Sequence, residues 1–283
     1  MDLVTNTLQG YAVSDDLVVQ WQRANLPALK TFHFGPPCTP DVTMLSPWLW
    51  RDERFDTLLD SLLASILMAW RFCGRLPVVL LVNRETPALL KMVQEWNIQL
   101  QVDPSIKGGG GDAKALNQDS ILNLTNRFDT PYLLSFQNHA FPIREGLTEF
   151  IGRYDYVGAP WPFDKDDWIT RVLLRRRGHV GNGAFTLRSR KLCETIAWYY
   201  RKKYKYLPYC YLVIDDYFIG KTLPSFERRY RETIRIASPK EAAAFALEDN
   251  IDLHRRLHAH PFGFHGPAAF ASLLQEGLIP ERL

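Results

Sequence analysis

Hydrophobic side chains at Phe55, Leu58, Leu59, Leu62, Leu63, Ile66, Leu67 and Trp70 recur at helical spacing, which predicts an amphipathic helix packed on a core. Asp52 and Glu53 suit its first turn, and Gly74 suits its stop. The apolar run Val78–Val82 follows, bounded by Pro77 and Asn83, and has the pattern of a parallel strand buried on both faces. A helix over 87–96, a strand over Ile98–Val102, a helix over Asn117–Arg127 and a buried strand over Tyr132–Phe136 complete a β-α-β-α-β series. That order predicts an α/β, Rossmann-like domain with a mostly parallel central sheet flanked by helices. Gly108–Gly111 reads as a flexible loop within it. Residues 1–50, rich in Pro, Trp and turn formers, read as an N-terminal extension packed on a core domain over 51–283.

The second half is less regular. Tyr154–Val157 reads as a short strand leading into Gly158-Ala159-Pro160-Trp161, and Val180-Gly181-Asn182-Gly183 precedes the run Ala184–Leu187. A helix carrying Leu192, Ile196, Tyr199 and Tyr200 comes next, then Ile214-Asp215-Asp216-Tyr217-Phe218 and, near the end, Pro261–Gly266. Ligands of parallel sheets gather beyond the carboxyl ends of the strands, which directs attention to Asn83–Glu85 and Gln137–Phe141.

Composition narrows the class. The chain has 283 residues, 46% apolar and 23% charged, which excludes a disordered or collagen-like chain and allows one large domain or two small ones. Net charge is +3, too small for a nucleic-acid binder. The charge is unevenly placed, however. Arg171–Lys205 holds eleven Lys/Arg against the single acid Glu194, so this window carries about +10 and the remainder about −7. Four cysteines, Cys38, Cys73, Cys193 and Cys210, form no CxxC pair and read as buried reduced thiols. The first ten residues show no signal-peptide pattern, and the stretch Leu58–Trp70, broken by Asp60 and Ser61, is too short to cross a bilayer. A cytoplasmic chain with at most peripheral membrane contact is expected.

Several residue groups could carry chemistry, each with a plainer alternative. Asp215-Asp216, flanked by large apolar residues, is expensive to bury unless one acid finds a donor or cation, which leaves the other to act as a base. The pair would equally serve as an acidic cap on a helix starting near Tyr217. Gly181-Asn182-Gly183 lets backbone approach a ligand, or is a hairpin turn. Trp161 could stack on a sugar ring or fill the core. His265, between glycines, and His139, just past a strand end, could meet a phosphate or metal; a lone histidine is more often structural. Arg175–Arg177, Arg188, Arg190 and Lys191 bracket the Gly-Asn-Gly turn and would attract a pyrophosphate. Arg201–Lys205 reads as a solvated helix end, and His254, His258 and His260 as solvated surface.

Taken in order, Tyr132–His139, Tyr154–Trp161, Gly181–Arg190, Asp215–Phe218 and Pro261–His265 resemble a microbial family of GT-A-like glycosyltransferases, long known only as a domain of unknown function, with galactosyltransferase-like spacing. The resemblance covers roughly 75–270. It implies a nucleotide-diphosphate sugar as donor and a glycan or glycolipid acceptor, as in bacterial surface polysaccharide or lipopolysaccharide synthesis. It implies Asp216 as the base of an inverting transfer, with Asp215 orienting the donor sugar. Gly181, Asn182 and Gly183 match the turn bordering that sugar, with Trp161 and Arg188 beside it, and Asn83 matches the nucleotide pocket. His265 matches a histidine on the pyrophosphate or metal. In the family the strand before Gln137 leads into an acidic metal motif; here Gln137-Asn138-His139 lacks the acid. His139 and His265 remain as ligands for Mn2+ or another divalent metal, since imidazole suits manganese or zinc better than magnesium.

Two rivals stand beside this reading. One is a non-catalytic GT-A-like module that binds a nucleotide sugar or glycan. The other is a metal-dependent phosphohydrolase using His139, Asp215, Asp216 and His265, which lacks the repeated Asp/His spacing of two-metal sites.

Overall fold

In the computed structural model, described over residues 17–49, 55–106, 113–161, 180–181, 183–206 and 214–283, the apolar run forms strand β2 (Val78–Val82), buried at every position. It lies parallel to β3 (Gln99–Val102) on one side and β1 (Val42–Pro47) on the other. Strand β1 in turn pairs in parallel with β4 (Tyr132–Phe136). Beyond β4 the sheet turns antiparallel through β9 (Phe185–Ser189) to β6 (Tyr156–Val157), giving the order β3-β2-β1-β4-β9-β6. The α/β class and the mostly parallel sheet expected from the sequence are present.

The 1–50 stretch, read as an extension, supplies the middle of this sheet. Strand β1 sits between β2 and β4, so the parallel ladder cannot form without it. Its buried Thr43 and Ser46 interrupt the apolar run, and Pro47 with Trp48 follows directly. That composition disguises a strand as a turn-rich segment. Helix α1 (Leu17–Thr31) also precedes residue 50 and sends Val18, Trp21, Leu26 and Leu29 into the main core.

Helix α2 (Leu59–Cys73) follows a 3-10 turn over Asp56–Leu58 and stops at Gly74, whose φ of 68° lies in the left-handed region. Leu62, Ile66 and Leu67 on it are fully buried. Helix α3 (Pro87–Trp96) begins with the Thr86 hydroxyl accepting from the Leu89 N–H at 3.2 Å. Helix α4 (Ala113–Leu122) starts before the predicted Asn117 and ends at Leu122, with the 3-10 turn Leu124–Asn126 taking over. Helix α5 (Arg190–Tyr199) is capped by Ser189, whose hydroxyl accepts from the Leu192 N–H at 3.0 Å. Among the described residues, no helix is long and apolar enough to cross a membrane.

Two small sheets sit beside the main one. Strand β5 (Ala140–Pro142) pairs antiparallel with β11 (Gly263–His265), which pairs in parallel with β10 (Ala246–Leu247). Strands β7 (Ala159–Pro160) and β8 (Val180–Gly181) form an antiparallel pair.

One polar knot ties α1 and α2 to the turn after β4. Gln22, fully buried, donates to Ser65 at 2.9 Å and to the Asn138 carbonyl at 2.6 Å, and accepts from Ser61. Ser65 also donates to the Asn138 carbonyl at 2.8 Å. Replacing Gln22 by Leu keeps the volume but strands these partners away from water. Urea unfolding is expected to show a loss of about 1–3 kcal/mol, and an unchanged midpoint would mean that the knot is dispensable.

Candidate active site

Two adjacent carboxylates in one apolar setting cannot both be charged without help. Asp215 receives that help and Asp216 does not. Asp215 is the first residue of a helical segment over 215–226 and is buried. Its Oδ2 accepts from Arg188 Nη2 at 2.9 Å and from the Ser120 hydroxyl at 3.0 Å, and its Oδ1 accepts from the Asp216 N–H at 2.8 Å. Its own N–H donates to Asn117 Oδ1 at 3.0 Å. Arg188, on β9, is 1% exposed and also donates from Nε to Thr186 at 3.1 Å. Thus β9, α4 and the 215–226 segment converge on one carboxylate.

Asp216 is half-buried and accepts the Tyr217 N–H at 2.8 Å, with no other donor among the described residues. Desolvation, followed by the charge of Asp215 and a smaller contribution from Glu248, pushes its pKa up to about 7. The two acids are therefore electrostatically unequal, as an acid-base site requires.

Glycines let backbone close around this pair. A side chain at Gly183 would meet Asp215 Oδ1 at 3.3 Å, and the Gly183 carbonyl accepts from Ser135 near the carboxyl end of β4 at 3.3 Å. The Trp161 ring lies on Gly181, where an added Cβ would stand 1.9 Å from it. Trp161 packs on Tyr217 with ring centroids 4.9 Å apart, and the buried Lys221 ammonium lies 4.9 Å from the Trp161 centroid and 4.7 Å from that of Tyr217.

His139 and His265 come together across the β5–β11 ladder. His265 pairs with Ala140, and the Gly266 N–H donates to the His139 carbonyl at 3.1 Å. His265 Nδ1 lies 2.8 Å from Glu248 Oε1, which fixes the imidazole. The described residues contain no group of three or more His, Cys, Asp or Glu placed to hold a metal. Gln137 is exposed and Asn138 contacts Ser61 at 3.5 Å, so the turn after β4 presents no carboxylate. Among the described residues, His139, His265 and this turn make up no complete donor set for a divalent cation.

A family described as "Protein of unknown function (DUF5672)" matches residues 123–265, just over half of the chain, including β4, β9, the acidic pair and His265. The chain belongs to the DUF5672 family. No curated protein matches it. The DUF5672 protein is similar to a solved galactosyltransferase, LgtC, in complex with donor and acceptor sugar analogues, at 12% identity and a TM-score of 0.49, over 85% of this chain and 98% of that one. It is also similar to apo glycosyltransferase GlyE of Streptococcus pneumoniae TIGR4, at 9% identity and 0.44, over 82% and 54%. A mannosyltransferase from Pyrobaculum calidifontis with GDP-Man and Mn2+ gives 13% and 0.42, over 80% and 62%. At such scores these likenesses carry nothing about chemistry.

Other residues of the DUF5672 chain lie differently from the sequence reading. Arg188, expected beside a donor, is buried and paired with Asp215 at 2.9 Å. Arg190 stacks 4.9 Å from the Phe128 ring and donates to the Thr125 and Phe128 carbonyls, while Lys191 pairs with Asp155 at 3.2 Å. Both serve the α5 start rather than an anion. Arg175–Arg177 and Asn182 lie outside the described residues. Asn83 stands just past β2, on the same sheet edge as Gln137 but separated from it by β1. His254, read as surface, is 3% exposed and lies 3.0 Å from Glu276. Cys38 is exposed, unlike Cys73 and Cys193. Glu248, Ser120 and Asn117 carried no sequence signal, because unremarkable polar residues acquire meaning only when three separate elements converge.

The raised Asp216 pKa has a signed consequence for stability. An unfolded Asp titrates near 3.9, whereas the folded group holds its proton to about 7. Between these values the folded chain binds more protons than the unfolded one, so this group's contribution to stability falls as pH rises through the window. Asp216→Asn removes that fall. Urea midpoints at pH 5, 6, 7 and 8 are expected to show the variant gaining on the wild type with rising pH up to about 7; parallel curves would contradict the assignment.

Proposed function

We propose that this DUF5672 protein is a GT-A-like glycosyltransferase, transferring a sugar from a nucleotide-diphosphate donor to a hydroxyl of a glycan or glycolipid with inversion. The unequal acidic pair carries the reading: Asp215 is held by Arg188 and Ser120, while Asp216 has a pKa suited to taking a proton near neutrality. The Asp216 carboxylate accepts the acceptor hydroxyl's proton as that oxygen attacks the anomeric carbon. The bond from that carbon to the diphosphate oxygen breaks, and the nucleotide diphosphate leaves with the electron pair. Asp215, Gly181 and Gly183 line the donor sugar, Trp161 offers a ring face to a sugar, and Asn83 and the Gln137-Asn138 turn lie along the nucleotide. His265, fixed by Glu248, and His139 border the diphosphate. No step is assigned to a metal.

The same reading gives a bacterial surface polysaccharide or lipopolysaccharide precursor as acceptor, built in the cytoplasm at the inner face of the membrane. The exposed Arg201, Lys202, Lys203 and Lys205 are in keeping with an anionic acceptor surface. A second reading, a non-catalytic nucleotide-sugar or glycan-binding module, draws support from the absence of an acid in Gln137-Asn138-His139.

A panel of nucleotide sugars, scored by thermal shift and by nucleotide release with and without manganese or chelator, separates the two. A donor at 100 times its Kd should stabilise the fold by about 2.7 kcal/mol. A shift without turnover across acceptors would favour the module. For the enzyme, Asp216→Asn should lower the transfer rate by about 10²–10⁴ while the donor shift persists. In the wild type kcat/KM should rise as pH increases through about 7, where Asp216 loses its proton. Full activity of the variant would remove Asp216 from the mechanism.

A further inference from the structure

Away from the acidic pair, two thiols meet where the chain enters the central strand. Cys38 is exposed on the segment before β1, and Cys73 is the buried last residue of α2. Their backbones run side by side. The Cys38 N–H donates to the Cys73 carbonyl at 2.8 Å, and the Arg75 N–H to the Gly35 carbonyl at 3.0 Å. Gly74 permits this approach, since a Cβ there would stand 1.9 Å from the Pro36 carbonyl oxygen. With standard bond lengths, the direct N–H···O=C bond holds the two Cα atoms no more than about 6.7 Å apart. Disulfides span about 4.4–6.8 Å between Cα atoms.

We propose that Cys38 and Cys73 are a redox modification site, closing a reversible disulfide by exchange with a low-molecular-weight disulfide. The cavity beside the pair, about 540 Å³ and lined in part by His33, Arg71 and Glu145, gives such a molecule access. The neighbouring Cys73 lowers the Cys38 pKa to about 7 against the opposing effects of burial and the Glu145 charge, so the exposed Cys38 is the attacking thiolate. The neighbouring Cys38, with burial, raises Cys73, which stays protonated as the resolving thiol. The Cys38 thiolate attacks one sulfur of the small disulfide, whose S–S bond breaks and releases one thiolate. The Cys73 thiol passes its proton to that thiolate and attacks the Cys38 sulfur of the mixed disulfide, releasing the second thiolate, which takes a proton from water. The two cysteines lose two electrons and are oxidised, and the small disulfide is reduced to two thiols. Cys193, fully buried with its pKa pushed up to about 12, has no part.

This inference is independent of the transferase reading. The full chain, incubated with glutathione disulfide, alkylated and analysed by intact mass and peptide mapping, tests it. The expected product has lost two hydrogens, contains a peptide joining Cys38 to Cys73, reverts with dithiothreitol and does not form in Cys38→Ser. The exposed position of Cys38 keeps that variant folded. A lasting glutathione adduct on Cys38, a link to any other cysteine, or no product at any ratio of glutathione disulfide to glutathione would overturn it.

Discussion

The buried bond between Arg188 and Asp215 holds the site together. Arg188 belongs to β9, the first antiparallel strand beyond β4, and Asp215 opens the 215–226 segment. Their 2.9 Å contact is the direct tie between sheet and segment at this point. An isolated buried charge costs several kcal/mol, so removing either partner strands the other, typically at about 3–5 kcal/mol. The arrangement is also incomplete. Among the described residues, Arg188 Nη1 and the Tyr156 hydroxyl are buried without hydrogen-bond partners, and the guanidinium lies 5.9 Å from the Tyr156 ring centroid. A fold selected for stability alone would gain from an apolar core there. A buried cation here suits a role in holding the Asp215 carboxylate in place.

The raised pKa of Asp216 comes first from burial and then from Asp215 beside it. Asp215 spends its oxygens on Arg188, Ser120 and a backbone N–H, leaving Asp216 with the Tyr217 N–H. Burial and the neighbouring negative charge then raise the second acid. Glu248 contributes in the same direction while also orienting His265. Asp215 is thus tied to Arg188 and Ser120, and Asp216 carries a raised pKa beside it. Around them, Trp161, Tyr217 and Lys221 form a wall whose close packing depends on the missing side chain at Gly181.

The parts legible in the sequence were those where a short pattern determines the outcome. Val78–Val82 is apolar throughout and Tyr132–Phe136 is broken only by Ser135, so both read as buried strands, and Gly74 ends α2 as its position implied. Strand β1 was hidden because Thr43, Ser46 and Pro47 blunt its apolar run, although pairing on both sides makes it central. Adjacent acids marked Asp215-Asp216 as unusual. Which acid would be neutralised depended on Arg188, twenty-seven positions earlier in sequence, and on Ser120, ninety-five positions away. His254 was misjudged for the same reason, since its partner Glu276 lies on the far side of β11 in sequence. Charge density alone did not reveal that Arg188, Arg190 and Lys191 are taken up by Asp215, backbone carbonyls and Asp155.

The division of labour between the two acids can be measured directly by a site-resolved carbon NMR titration of the Asp216 carboxyl group in the folded chain. Its midpoint should fall near pH 7, and a midpoint near the ordinary aspartate value of about 3.9 would contradict the assignment of Asp216 as the proton-exchanging acid.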